Sequence, residues 1–151
     1  MTLTAILIGH EPLAAECGQQ WLSAGHGLAA VVTRHDTVRQ WAHDAGLTVV
    51  DDPNALIEND IRADWLFSIA NLDMLPGAIL DLAAEGAVNF HDGPLPRYAG
   101  LNAPVWAIAN GEQDHGVTWH LMEARADHGD ILVQRDVAIA PDDTAFTLNA
   151  K

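Results

Sequence analysis

Three residues of this chain have types and spacing that could catalyse a reaction. Asn89 and His91 stand two positions apart, and Asp127 follows further along the chain. On an extended strand, residues two apart point to the same side, so an amide and an imidazole would converge there. Together they could hold the negative charge that develops on an oxygen. A carboxylate that joins them could orient the imidazole and keep it charged, so the trio suits acyl transfer to an amine without a metal or a covalent intermediate.

The elements that must position these residues follow a regular alternation. Short apolar runs ended by turn residues predict strands, and longer periodic segments closed by glycine predict helices. The strands are expected at 4–8, 27–33, 48–50, 65–70 and 87–90, and the helices at 12–24, 36–45 and 76–84. This alternation predicts an α/β fold with a Rossmann-like, doubly wound and mostly parallel sheet. Ligands bind such sheets beyond the carboxyl ends of the strands, which is where Asn89 and His91 fall.

The regular alternation of strands and helices ends after His91. A loop rich in glycine and proline over 93–100 precedes an expected helix at 104–110 and two expected strands at 116–122 and 131–139. Asp143-Thr144 is typical of a helix cap. The helix that it would open has only about two turns here, which is too short to be stable alone. We therefore expect residues 1–151 to be one domain from a longer multidomain chain.

The composition excludes several classes of protein. The chain has 21 acidic and 7 basic residues, for a net charge of −14, and its few arginines are scattered. Such a surface repels phosphate backbones, so nucleic acids are not expected as partners. The apolar segments are too short to cross a membrane, and we expect no secretory signal because no basic region followed by an apolar one stands at the start. The single cysteine excludes an internal disulfide and fits a cytoplasmic location.

Two cofactor classes are also unexpected. The first strand-to-helix turn reads Gly9-His10-Glu11-Pro12, which lacks the further glycines of a dinucleotide fingerprint and adds an acidic residue at the phosphate position. Eight histidines invite a metal site, but no pair has the helical spacing of a zinc motif, so we expect no metal. His120 could lie beneath the site, on a strand face shared with Thr118.

Three motifs in order, 89–100, 116–120 and 127–132, resemble the 10-formyltetrahydrofolate-dependent formyltransferases, which include methionyl-tRNA formyltransferase and glycinamide ribonucleotide formyltransferase. The resemblance implies the formyltransferase fold, with 10-formyltetrahydrofolate as formyl donor and the catalytic trio at Asn89, His91 and Asp127. The opening stretch and segment 101–107 are most similar to formyltransferase domains of nonribosomal peptide synthetases and hybrid polyketide assembly lines. Such a setting would account for a chain that is part of a longer one.

The resemblance also implies roles for the residues. Asn89 and a protonated His91 would stabilise the tetrahedral oxyanion, while Asp127 would pair with His91 and help remove the proton of the amine. The pterin of the donor would lie against the backbone around one loop and against a second loop near Asp127. These donor-binding positions are Asp73, Met74 and Leu75 in the first loop, and Ala124 and Arg125 in the second.

The chain departs from the family pattern next to the histidine. Many members have proline and serine where this chain has Asp92 and Gly93. On an extended backbone Asp92 would point away from His91, so we expect it to adjust the loop rather than replace Asp127.

The first functional hypothesis is transfer of a formyl group to a small amine or to an amine held on a carrier protein, such as an aminoacyl thioester. Adjoining adenylation or carrier domains would then be partners. Hydrolysis of formyltetrahydrofolate and formylation of an amino sugar are alternatives on the same fold. A folate-binding or docking domain without turnover is an alternative of another class, and a metal-dependent amide hydrolase is a more remote one.

Overall fold

The computed structural model describes residues 1–123 and 125–151. These residues form two compact units, 1–89 and 90–151. The first unit contains β1 (Thr4–Ile8), α1 (Pro12–Ser23), β2 (Gly27–Val32), α2 (Asp36–Asp44), β3 (Val49–Val50), α3 (Asn54–Glu58), β4 (Ala63–Ile69), α4 (Gly77–Leu80) and most of β5 (Ala83–His91). Within the described residues, no helix is long and apolar enough to span a membrane.

The sheet of the first unit has the strand order β3-β2-β1-β4-β5. The central strand β1 pairs in parallel with β2 and with β4, and β2 pairs in parallel with β3. Residues 5–8 of β1 are almost completely buried, as expected for a strand in the middle of a parallel sheet. The parallel pairing and the strand–helix alternation confirm the predicted α/β fold.

Gly9 allows the chain to turn sharply from β1 into α1. A Cβ atom at this position would lie 2.4 Å from the Cβ of Ala14 and 2.4 Å from the carbonyl oxygen of Ile69. Only glycine fits such a close approach between the end of β1, the helix α1 and the neighbouring strand β4. The residue thus fixes the carboxyl edge of β1 against the first turn of α1.

The prediction of a helix at 76–84 is wrong. α4 covers only Gly77–Leu80, and β5 begins at Ala83. The backbone N–H of Ala63 donates to the carbonyl of Leu82, and Gly86, expected to end the helix, lies inside β5 with a φ of 138°. A short apolar, alanine-rich segment is compatible with both a buried strand and a helix. Here, pairing with a neighbouring strand makes the segment from Ala83 a strand.

The second unit holds the end of β5, followed by α5 (Ala103–Ala109), β6 (Asp114–Leu121), β7 (Ile131–Ala138) and α6 (Ala145–Asn149). Its strand order is β5-β6-β7, with β6 and β7 antiparallel and an irregularity in register between Trp119 and His120. Thr144 caps α6 through a capping box with Thr147, which confirms the expected cap.

Candidate active site

Strand β5 carries two of the three predicted catalytic residues to its carboxyl end. His91 is its last residue and is 6% exposed, while Asn89 is half-buried. Because the two residues are two apart in a strand, their side chains leave the same face. The predicted position of both residues at a strand end agrees with the structure.

The hydrogen bond of His91 assigns its tautomer. The Nε2 atom lies 2.7 Å from the carbonyl oxygen of Tyr98, which can only accept, so Nε2 carries a proton. The Nδ1 atom faces two carboxylates, with Oδ1 of Asp127 at 3.7 Å and Oδ1 of Asp92 at 4.0 Å. Both distances exceed that of a hydrogen bond. Nδ1 is therefore the ring nitrogen that a substrate oxygen could approach.

Asp127 lies on the loop between β6 and β7 and contacts three groups. Its Oδ2 accepts a hydrogen bond of 2.8 Å from the backbone N–H of Gly100. Its Oδ1 lies 3.6 Å from Nε2 of His120, besides its approach to His91. The side chain is 12% exposed. The structure therefore brings Asp127 to His91, as the sequence predicted, and places His120 against the same carboxylate.

The loop that carries Asp127 returns tightly onto β6. The N–H of Leu121 donates to the carbonyl of Asp130, and Gly129 is buried against the backbone of Leu121. A Cβ at Gly129 would lie 1.8 Å from the carbonyl oxygen of Leu121. Asp127 itself has a φ of 58°, in the left-handed region that aspartate adopts more readily than most residues. This tight return places the carboxylate beside the two histidines.

The expectation that Asp92 points away from His91 is wrong. β5 ends at His91 and the chain bends at residues 92 and 93, so the alternation of a strand no longer applies. The carbonyl of Asp92 accepts from Nε2 of His115 over 2.7 Å. With its backbone held there, the carboxylate turns toward His91 while its side chain stays 39% exposed.

A buried hydroxyl network holds the loop after Asp92. Thr118, fully buried on β6, donates to the carbonyl of Gly93 over 2.7 Å and accepts from the N–H of Leu95 over 3.1 Å. The amide of Gln134 on β7 donates to the carbonyl of Leu95 over 2.5 Å and to the Thr118 hydroxyl over 2.9 Å. The loop thus has a fixed path immediately after His91.

The predicted donor-binding residues of the first unit lie on the loop after β4. The N–H and C=O of Asp73 are both bonded to the side chain of Asn71, over 3.1 and 3.0 Å. Met74 is 66% exposed, whereas Leu75 is buried. The apolar side chain of Met74 and the backbone of 74–75 are therefore the groups of this loop that a flat ring could contact.

In the second loop, Arg125 is exposed. Ala124 lies outside the described residues. The assignment of these five positions to donor binding stays a prediction.

The carboxylate of Asp73 forms an ion pair with Arg34, at the end of β2. His10 joins this pair, because its Nδ1 accepts from the N–H of Arg34 over 3.1 Å and its Nε2 lies 3.9 Å from Asp73. Burial, with the nearby Arg34 charge, lowers the pKa of His10 below its ordinary value. Among the described residues, no group of three or more histidine, cysteine, aspartate or glutamate side chains could hold a metal ion.

Sequence reasoning missed the two backbone groups that hold the catalytic side chains, the carbonyl of Tyr98 and the N–H of Gly100. The turn residue Gly100 was the one signal available, since its φ of 93° favours glycine. Tyr98 has a φ of 56°, which no pattern of residue types indicates.

Solved structures with this fold were found over nearly the whole chain. A phosphoribosylglycinamide formyltransferase from Bacillus halodurans is 25% identical, with a TM-score of 0.81 over 97% of this chain and 85% of the other. Glycinamide ribonucleotide transformylase 1 from Symbiobacterium toebii is 21% identical, with a TM-score of 0.82 over 99% and 79%. A Mycobacterium tuberculosis protein considered a sugar N-formyltransferase is 25% identical, with a TM-score of 0.74 over 99% and 60%.

The sequence itself carries the family pattern. Residues 57–151, which include every predicted catalytic position, match the family model described as formyl transferase. That segment is more than half of the chain. This chain therefore belongs to the formyl transferase family and is a formyltransferase.

Proposed function

We propose that the domain transfers the formyl group of 10-formyltetrahydrofolate to the amino group of an aminoacyl thioester held on a carrier protein. The observation that carries formyl transfer is the approach of Asp127 to Nδ1 of His91, at the end of the strand that also presents Asn89. An amide donor, an imidazolium and a carboxylate are the groups that attack of an amine on a formyl carbon requires.

The residues divide the reaction between them. Asn89 and the Nδ1–H of protonated His91 donate to the oxygen of the formyl group as its carbon becomes tetrahedral. A new bond forms between the amine nitrogen and the formyl carbon, and the bond from that carbon to N10 of the folate then breaks. Asp127 stabilises the imidazolium and accepts the proton of the amine, directly or through water. The same proton then passes to N10 as it leaves, which returns Asp127 to its ionised form.

The turn after β1 argues against a phosphorylated acceptor. α1 begins at Pro12, and Glu11 precedes it at the cap position. A carboxylate there would repel a phosphate at the positive end of the helix. The net charge of −14 adds to this repulsion. The acceptor named in the phosphoribosylglycinamide formyltransferases is thus a poor fit, and an acceptor without a phosphate near its neutral amine fits better.

The thioester is favoured by the resemblance of segment 101–107 to assembly-line formyltransferase domains. Carrier proteins are commonly acidic, so charge would not draw them to this domain. A covalent link to an adjoining carrier or adenylation domain would supply the effective concentration instead. We therefore propose such a domain as the partner.

Mass spectrometry of the acceptor tests the proposal. The domain is incubated with 10-formyltetrahydrofolate and a carrier protein loaded with an amino acid, and the aminoacyl group should gain one formyl group. Asn89→Ala and Asp127→Asn should greatly slow this gain. Release of formate in the absence of an acceptor would favour the hydrolase. Folate binding without turnover on any amine would favour the alternative hypothesis of a folate-binding or docking domain.

An amino sugar is the second candidate acceptor. It is supported by the Mycobacterium tuberculosis protein, which is 25% identical over 99% of this chain. Nucleotide-linked amino sugars carry phosphate, so Glu11 counts against them in the same way. The same assay with an amino sugar in place of the carrier protein decides between the two acceptors.

A further inference from the structure

The turn over residues 98–100 contacts both members of the catalytic pair through its backbone. The carbonyl of Tyr98 accepts from Nε2 of His91 over 2.7 Å, and the N–H of Gly100 donates to Oδ2 of Asp127 over 2.8 Å. One short turn therefore sets the orientation of the imidazole and of the carboxylate at the same time.

The side chain of Tyr98 fixes this turn from the other side. Its hydroxyl donates to Oε1 of Glu112 over 2.7 Å and accepts from the amide of Asn110 over 2.9 Å. Arg97 donates to the same Oε1 over 2.8 Å, and its guanidinium lies 5.3 Å from the centre of the Tyr98 ring. The hydrogen bond from Tyr98, aided by Arg97, lowers the pKa of Glu112, so the acceptor is ionised at neutral pH.

Tyr98 needs such an anchor because its backbone is strained. A φ of 56° is costly for a bulky residue and persists only where the surroundings enforce it. If the hydroxyl were released, the residue would relax toward an ordinary conformation. Its carbonyl would then rotate away from Nε2 of His91.

We propose that Tyr98 and Glu112 are positioning residues, which hold His91 in its Nε2–H tautomer with Nδ1 toward Asp127. The proposal rests on the catalytic roles proposed above for His91 and Asp127. Neither Tyr98 nor Glu112 needs to touch a substrate, because both act through the carbonyl of Tyr98.

Ring ¹⁵N NMR of His91, combined with steady-state kinetics, tests the proposal. In Tyr98→Phe and Glu112→Ala, the Nε2–H signal of His91 should lose its hydrogen-bonded shift, and in the neutral ring the two tautomers should mix. The kcat should fall about tenfold while KM for the donor stays unchanged. Glu112→Gln keeps an acceptor for the hydroxyl and should retain most of both properties. Glu85→Ala removes an exposed glutamate of the first unit and is the matched control.

The NMR readout separates this proposal from the proposed function, because it needs no substrate. An unchanged Nε2–H signal in folded Tyr98→Phe or Glu112→Ala would overturn the positioning role, whatever the kinetics. A changed signal with unchanged kcat would support the positioning of the ring and contradict its proposed part in catalysis. If Tyr98→Phe does not fold, Glu112→Ala decides, with circular dichroism confirming its fold.

Discussion

The N–H of Gly100 donates to Oδ2 of Asp127, so the backbone of a turn fixes one oxygen of the carboxylate. The other oxygen is thereby directed between His91 and His120, at 3.7 and 3.6 Å. A carboxylate held in this way cannot swing toward solvent, so its charge stays beside the imidazole that the proposed reaction requires.

Asp127→Asn should remove that charge and keep the shape of the side chain. The amide oxygen can still accept from Gly100, so the fold should persist. We expect kcat to fall on the order of a hundred- to a thousandfold, because the imidazolium loses its counter-charge and the amine its proton acceptor. Steady-state kinetics measure the loss. Asp130→Asn, at an exposed position of the same loop, is the control and should be close to wild type.

Asn89→Ala should remove one donor to the developing oxyanion. Loss of such a donor typically lowers kcat on the order of a hundred- to a thousandfold, and KM should change little because the charge develops only in the transition state. Single-turnover kinetics isolate the chemical step. Asn89→Asp, which keeps the size but loses the donor, should be as slow. A rise in KM at constant kcat would instead assign Asn89 to ground-state binding.

Asp92→Asn should have a much smaller effect than Asp127→Asn. The carboxylate lies 4.0 Å from Nδ1 of His91 and is 39% exposed, so water and salt screen its charge. We expect kcat to fall by about twofold to fivefold at low ionic strength, and the difference from wild type to shrink as salt is added. A loss as large as that of Asp127→Asn would make Asp92 an equal partner in proton transfer.

Thr118→Val should destabilise the protein. The hydroxyl is completely buried, donates to the carbonyl of Gly93, and accepts from the N–H of Leu95 and the amide of Gln134, and valine would remove all three hydrogen bonds. The N–H of Leu95 and the carbonyl of Gly93 would keep the 3.1 Å bond to each other, so the loss is that of the removed bonds, about 0.5–1.5 kcal/mol each in the free energy of unfolding. Urea denaturation measures the change. Thr118→Ser keeps the hydroxyl and should lose less, and equal losses in the two variants would show that the methyl group matters instead.

His10 should make the stability of the protein depend on pH. Burial and the Arg34 charge lower its pKa in the folded state below the ordinary value of 6.5, so the unfolded chain binds a proton first as the pH falls. The stabilisation is therefore complete above about pH 6.5 and is lost as the pH falls through the lowered pKa. His10→Asn keeps an acceptor for the N–H of Arg34 but does not titrate.

Thermal unfolding of wild type and His10→Asn between about pH 7 and about pH 5 measures this dependence. The Tm of the wild type should fall more steeply than that of the variant. If the Tm of the two proteins changed equally with pH, Arg34 and burial would not lower the pKa of His10 in solution.

The sequence predicted correctly those strands and helices whose position depends on their own residues. β1 was expected at 4–8 and lies there, and α1 begins at Pro12, because a buried run and a proline each act through their own residues. The start of β5 was missed, since the apolar segment near Ala83 fits a helix equally well. Only pairing with a neighbouring strand, which lies far away in sequence, decides it.

The catalytic side chains were predictable and their supports were not. Asn89 and His91 share a face by strand geometry, and Asp127 was identified by resemblance. Every residue has a backbone carbonyl and every residue except proline has a backbone N–H, so the residue types give no signal for the carbonyl of Tyr98 and only the turn glycine at 100 as a signal for the N–H. The approach of Asp92 to His91 depended on where β5 ends, and strand ends are set by tertiary contacts.

Gly129 packs so closely on Leu121 that a substitution there could inactivate the enzyme although Gly129 takes no part in the chemistry. With the carbonyl oxygen of Leu121 only 1.8 Å from the place of a Cβ, any side chain would push the β6–β7 loop outward and carry Asp127 with it. Variation at this position is limited by space alone. An inactive variant at Gly129 would therefore report a displaced carboxylate rather than a lost reactive group.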